Sequence, residues 1–481
     1  MREFTSACLD AAALAGATYA DVRVADTETQ SISVRNGVVE GIESGASFGF
    51  GVRVIADGAW GFASSSKISS EAADRVARQA VAIAKASATV GTHRLDLSDV
   101  DAYDDRWTGP CLTDPFTVGI EEKLGVLLSA DKTMRSVKGI ALATSEMSFL
   151  RSRKTFASCG GSYIEQEWVE SSAGICAYAI ADGEVFPRSY PNSHGGACIQ
   201  GGWETITALD LEGHAGRIAG EAVALLSAPE CSSDTTTLII DGSQLALQVH
   251  ESVGHPTELD RVLGDEAAFA GTSWVRAGDL GTLRYGADIV NITADATVRG
   301  SLGSFGYDDE GVPAQRDFLV KDGMLAGFLG SRESATAIGR SSNGCMRADG
   351  WNRTPIIRMT TVSLEPGDAG TLEDLIADTD KGLYIETNNS WSIDDKRLNF
   401  QFACEIGWEI DNGELTRMVR HPNYTGITPE FWASCDAICS AGDWWVWGLD
   451  NCGKGEPMQV AHVAHGAAPA RFRGVSVGVG R

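Results

Sequence analysis

The sequence predicts an α+β protein in two parts: a mixed α/β domain of hairpins and helices over residues 1–230, and a β-rich domain over residues 234–481 built around one helix near its start. Three observations carry this. Hairpin signals recur in both halves, at Asn36-Gly37, Asp57-Gly58, Asp182-Gly183, Asp322-Gly323 and Asn412-Gly413, each between segments rich in β-branched or apolar residues. Segments with apolar residues at helical spacing interrupt them, most of these in the first half. Finally, 481 residues exceed the size at which one hydrophobic core usually stops growing, and a breaker-rich stretch, Pro229-Glu230-Cys231-Ser232-Ser233, lies near the middle.

Thr5 to Leu14 is apolar-periodic and reads as the first helix. Strands follow at Tyr19 to Ala25 and Gln30 to Ser44, joined at Asn36-Gly37 as a hairpin. Ser69 caps the next helix, which carries Glu71 in its first turn and repeats Ala, Val and Ile at helical spacing to Ala88. Gly119 to Met134 and His214 to Leu226 are further helices. The apolar strand Thr236 to Ile240 opens the second domain. Neither a fixed-period tandem repeat nor a low-complexity tract is present.

Composition excludes several classes. With 43% hydrophobic, 22% charged and 8% aromatic residues the chain is globular rather than disordered. Its formal net charge of −26, spread without a like-charge block, repels nucleic acid and anionic membranes, so neither is an expected partner. Eleven scattered cysteines form no disulfide framework. The start Met1-Arg2-Glu3-Phe4 has no apolar core or cleavage signal, and no run approaches a membrane span. A cytoplasmic protein with reduced thiols is expected, and the four Asn-x-Ser/Thr triplets are then chance matches.

Asp241-Gly242-Ser243 follows the strand, with Ser243 placed to cap a helix whose apolar face is Leu245, Leu247, Val249 and Val253. His250, Glu251 and His255 sit on that helix or at its end, making it the candidate metal-binding helix. Two neutral imidazoles leave a hydrolytic metal enough charge to acidify water, and the adjacent carboxylate takes the proton. The logic is that of His-Glu-x-x-His sites, but the spacing is one residue longer. An i, i+4 pair lies about 40° apart around a helix and an i, i+5 pair about 140°. A regular helix therefore cannot use both histidines, and a π-type bulge or a break at Gly254 is expected between Val253 and Pro256.

The stretch His250-Glu251-Ser252-Val253-Gly254-His255 resembles the hallmark of the TldD/PmbA family. Arg353-Thr354-Pro355-Ile356-Ile357-Arg358-Met359-Thr360 is similar to that family's Pro-x-x-Arg-Met-Thr segment. Asn451-Cys452-Gly453-Lys454-Gly455 resembles its cysteine loop, and Gly474 to Gly478 its C-terminal strand. The resemblance implies His250, His255 and Cys452 as metal ligands and Glu251 as general base, with zinc as the metal and iron left open. It also implies a dimer and a closed chamber formed through the first domain, this chain being the active subunit. The partner would be a related TldE/PmbA-like subunit or a second copy, and the substrates small or unfolded peptides, including modified precursors.

Glu258, seven residues after Glu251, either orients a ligand imidazole, meets a substrate amine or is a solvated helix-end acid. Phe431 to Leu449 departs from the family pattern. There Trp444, Trp445 and Trp447 either line a cleft or pack, and Cys435 and Cys439 share one helix face. In a strand His462 and His465 point to opposite faces, which argues against a shared metal. His421 is a candidate oxyanion donor, while His93, His194 and His214 have no supporting context. Two other functions stay open: hydrolysis of an amide in a peptide-derived or small-molecule conjugate of a biosynthetic pathway, which the Phe431 to Leu449 segment allows, and a non-catalytic peptide-binding or modulatory subunit. The second needs no general base, and Glu251 favours an enzyme.

Overall fold

The computed structural model describes residues 1–90, 95–193 and 195–478. His93 and His194 lie outside them. The α+β class is the one found, with three main sheets and helices laid against them.

An eight-stranded sheet occupies the first half. Two long hairpins dominate it, Tyr19–Arg35 with Val38–Ala56 and Ile140–Ser158 with Tyr163–Ala181, joined by antiparallel pairing of Tyr19–Arg35 with Ile140–Ser158. The two short strands expected before residue 44 are therefore one 17-residue strand and the start of its partner. Polar Thr27 to Gln30 continues the pleat because strands on both sides satisfy its backbone.

The helices cover opposite ends of these hairpins. Arg2–Ala15 and Ser70–Ala88 pack on Val22, Val24, Phe50, Val52 and Val54, while Ile120–Ser136 and Leu211–Leu225 pack on Ile32, Met147, Phe149 and Ile175. As expected, Ser69 caps its helix, its side chain accepting from the Ala72 N–H. Small residues bring that helix onto strand Ala59–Ser65, where a Cβ on Gly61 would collide with the Ala80 carbonyl. Helix, two long strands, a seven-residue strand and a closing helix thus occur twice. The third strand is entered at Asp57-Gly58 in one copy and at Asp182-Gly183 in the other. This internal repetition has no fixed sequence period, because the second copy inserts strand Ala197–Gln200 and helix Trp203–Ala208.

All five Gly-containing turns join antiparallel strands, and both central residues of each have positive φ, as a two-residue hairpin demands.

In the second half, strand Asp234–Ile240 pairs with Lys381–Ile393 and with Ala470–Val477. Pairing continues through Asn423–Ile427 and Asn399–Asp411 back to Lys381–Ile393, closing a five-stranded ring. A six-stranded sheet lies beside it and ends in strands Gln459–Ala467 and Trp445–Lys454. Helix Gly242–Val249 runs between the two sheets and is buried on every side, with Leu245 and Val249 in the main core. Its cap is Asp241, not Ser243: the helix begins at Gly242, and the Asp241 carboxylate accepts from the Ser243 N–H at 2.8 Å. Cys435 lies in a strand, Cys435–Ile438, and Cys439 just beyond it, so the helical spacing of the two cysteines does not apply. Among the described residues no helix is long and apolar enough to cross a membrane.

Candidate active site

Helix Gly242–Val249 does not stop at its end. It widens into a π-turn over His250–Gly254 and then tightens into a 3-10 turn over His255–Thr257. The extra residue per turn turns the i, i+5 histidines to one side, so that His250 Nε2 and His255 Nε2 both face Cys452 Sγ, at 3.4 and 3.8 Å. The distortion begins three residues before the expected Val253. Two contacts support it: Thr257 Oγ1 donates to the Val253 carbonyl at 2.8 Å, and Tyr285 Oη donates to the Ser252 carbonyl at 2.5 Å. Gly254 is required by close approach rather than by φ, since a Cβ there would overlap the Met359 sulfur.

Cys452 comes from strand Trp445–Lys454, where a register shift between Leu449 and Cys452 interrupts the ladder with Gln459–Ala467. The three donor atoms lie within 4.8 Å of one another and all three residues are buried. Burial pushes the Cys452 thiol up, yet His250, Arg358 and His255 hold it well below its ordinary value, which favours the thiolate form that a metal needs. Among the described residues Arg358 has no carboxylate partner. Its guanidinium donates to the carbonyls of Cys452 and Gln459, so Arg358 and Met359 of the 353–360 segment form the back of the site.

Each imidazole is held from behind. His255 Nδ1 lies 2.9 Å from Glu258 Oε2. Glu258 is fully buried, which removes the solvated reading, and its other oxygen is 3.4 Å from Lys454 Nζ. Lys454, itself buried, also meets Asp260 at 2.8 Å and Glu266 at 3.4 Å. His250 Nδ1 lies 2.7 Å from His465 Nε2. His462, on the opposite face of the same strand, pairs instead with Glu170 of the first half. The two histidines share no site, as the strand period requires.

Glu251 follows His250 on the π-turn and turns to Arg397, whose Nη1 is 2.5 Å from its Oε2. Sequence reasoning missed Arg397, His465 and Lys454. Lys454 lay two residues from Cys452 in the cysteine loop and His465 in a His-x-x-His pair read only for a shared metal, while no motif contained Arg397.

The other candidates lie apart from this arrangement. His421 stacks on Phe186 and lies 3.2 Å from Glu230, in a partly exposed group with Glu184 that Arg420 bridges, and is not among the residues gathered at His250, His255 and Cys452. His214 stacks on Tyr190. Trp444 packs, with its indole N–H donating to the Leu364 carbonyl, while Trp445 is half exposed. A cavity of about 160 Å³ between the halves is lined by Trp168, Phe305, Arg347, Trp351, His462 and Ala461, whose backbone pairs with Cys452.

Comparison with known proteins identifies the family. The PmbA/TldA metallopeptidase C-terminal domain matches residues 233–478, and domain 1 of the same family matches residues 20–84. A metalloprotease of Methanocaldococcus jannaschii is 29% identical over 87% of this chain and 89% of its own length. One from Methanothermobacter thermautotrophicus is 29% identical over 96% and 95%. A zinc metalloprotease TldD homolog of Saccharolobus solfataricus is 26% identical over 40% and 41%. Among solved structures, a proposed modulator of DNA gyrase from Thermotoga maritima has a TM-score of 0.75 at 18% identity, covering 99% of both chains. TldE from Thermococcus kodakarensis has 0.71 at 15%, covering 98% of both. These likenesses are of fold. With the family match spanning more than half its length, the chain belongs to the TldD/PmbA metallopeptidase family.

Proposed function

We propose that the chain is a zinc-dependent peptidase acting on small or unfolded peptides, with His250, His255 and Cys452 as metal ligands and Glu251 as general base. The observation that carries this is the convergence of the three donor atoms beside a carboxylate. A tetrahedral zinc with Zn–S of about 2.3 Å and Zn–N of about 2.0–2.1 Å separates its sulfur and nitrogen donors by about 3.6 Å. The separations of 3.4 and 3.8 Å bracket that value. Thiolate and imidazole donors suit zinc, and iron is the other metal they admit.

Bound there, zinc supplies Lewis-acid polarisation of a peptide carbonyl and lowers the pKa of water toward neutrality. The chain's own residues do the rest. Glu251 takes the proton of the attacking water and returns it to the departing amine. His465 and Glu258 fix the two imidazoles so that each Nε2 lone pair faces the centre. Burial of all four site residues excludes bulk water, and the enclosed setting favours flexible peptides over folded proteins.

The same reading divides the chain at residues 230 and 234, the first part forming the dimer contact and chamber with a TldE/PmbA-like subunit or a second copy, in the cytoplasm. TldE as a structural neighbour supports the fold of such a partner. The test is cleavage of an unstructured fluorogenic peptide by the purified protein, alone and with a partner subunit, before and after chelation and after adding zinc back. Activity lost on chelation and restored by zinc is the expected result. Cleavage unaffected by complete metal removal would overturn the proposal.

A further inference from the structure

Arg397 sits in the turn between strands Lys381–Ile393 and Asn399–Asp411 with φ of 63°. An L-residue with a long side chain is disfavoured in that left-handed conformation, where Gly, Asn or Asp is usual. The turn imposes it. Asp394 Oδ1 accepts from the Leu398 N–H at 2.8 Å, the Arg397 N–H donates to the Asp394 carbonyl at 2.9 Å, and Thr428 Oγ1 donates to the Arg397 carbonyl at 2.8 Å. An observed backbone outlier beside a candidate catalytic carboxylate is a reason to look for a role.

The side chain supplies one. Nη1 is 2.5 Å from Glu251 Oε2, while Nε is buried and has no hydrogen-bond partner among the described residues. A guanidinium donates along two edges: one contact through Nη1 leaves the opposite edge, Nε with Nη2, able to receive an oxygen. The charge is permanent, so Arg397 neither takes nor gives a proton.

We propose that Arg397 is a catalytic residue that fixes the Glu251 carboxylate through Nη1 and offers its Nε edge to the carbonyl oxygen of the scissile peptide as negative charge develops there. The inference rests on the peptidase reading above. In the step it serves, Glu251 removes a proton from water and the water oxygen bonds to the carbonyl carbon. The π electron pair of the carbonyl moves onto its oxygen. On collapse that pair returns, the C–N bond breaks and Glu251 protonates the nitrogen. Nothing is oxidised or reduced, and the arginine hydrogen-bonds to the charge without entering the proton balance.

The test compares the metal-loaded wild type with Arg397→Met, Arg397→Lys, Arg397→Ala and Glu251→Gln. Metal content is read in each, together with kcat and KM on an unstructured fluorogenic peptide and affinity for a phosphinic pseudopeptide, whose tetrahedral anion mimics the addition step. Arg397→Met is expected to keep its metal and its KM while kcat falls about 10²–10³-fold, the usual consequence of losing one oxyanion donor. Phosphinate affinity should fall in parallel with kcat/KM, and added guanidine should return part of the activity of Arg397→Ala. A kcat near wild type, or phosphinate affinity that stays constant while kcat/KM drops, overturns the assignment. If wild type cleaves, Glu251→Gln does not and Arg397→Met cleaves normally, this inference alone falls. If metal-loaded wild type cleaves nothing, both readings fall together.

Discussion

His465 stands directly behind His250, with His250 Nδ1 2.7 Å from His465 Nε2 and His465 Nδ1 2.9 Å from the Val362 carbonyl. A carbonyl only accepts, so His465 Nδ1 carries a proton. Burial, and then the neighbouring His250, hold His465 well below its ordinary value, so it is neutral and its Nε2 is an acceptor. His250 therefore donates through Nδ1, and its Nε2 faces Cys452. One backbone carbonyl sets the tautomer of a candidate ligand two residues away in the chain of hydrogen bonds.

His465→Ala removes this relay without touching the donor atoms. Metal affinity, measured by competition with a chromophoric chelator, is expected to fall about 10–100-fold.

Gly254→Ala forces a methyl group into the Met359 sulfur, in a core that does not yield. Urea denaturation should show a loss of about 1–3 kcal/mol, the usual range for overpacking. Met359→Ala should restore part of it in the double variant, because the collision is with that side chain.

The pair His462–Glu170 ties the two halves together and carries a pH dependence. Burial lowers His462, but Glu170 more than offsets this and leaves it above its ordinary 6.5. Burial likewise raises Glu170, while His462 brings it below its ordinary 4.5. A raised base contributes its full stability below its unfolded value and loses it as pH rises through the folded one. A lowered acid contributes above its unfolded value and loses it as pH falls through the folded one. The pair therefore stabilises most between about pH 4.5 and 6.5, and the thermal midpoints of wild type and His462→Gln should differ most there and converge at alkaline pH.

Lys454→Met leaves the buried Glu258 and Glu266 and the partly buried Asp260 facing a neutral side chain. Burial has already pushed Glu266 up to about 7, against the opposing pull of Lys454. Breaking a buried charge cluster from one side typically costs about 3–5 kcal/mol. Equilibrium unfolding of the metal-free protein near pH 8 should show that loss, and a smaller one at pH 5, where the carboxylates take up protons.

Much of this was legible because the signals are local. Asn36-Gly37 and the four similar turns specify hairpins by needing positive φ at adjacent residues. Ser69 specifies a helix start, and the i, i+5 spacing of His250 and His255 specifies a non-α turn. What was not legible depends on pairing at a distance. The 17-residue strand beginning at Tyr19 contains a polar stretch that only neighbours on both sides make extended. The doubled helix and hairpin unit of the first half keeps its topology but no sequence period. Arg397 and His465 contact Glu251 and His250 from 146 and 215 residues away; nothing local marks Arg397, and the spacing of His462 and His465 drew attention to a shared metal rather than to a contact with His250.

In the proposed mechanism one pair of adjacent residues divides the labour, His250 holding the metal and Glu251 moving the proton. Metal per chain and peptide cleavage, measured together on wild type, Glu251→Gln, His250→Ala and Cys452→Ala, test it most directly. Close to one zinc per chain is expected in wild type and Glu251→Gln, little in the two ligand variants, and cleavage only in wild type. A Glu251→Gln protein that cleaves as wild type does, or a His250→Ala protein that keeps its zinc, would contradict it.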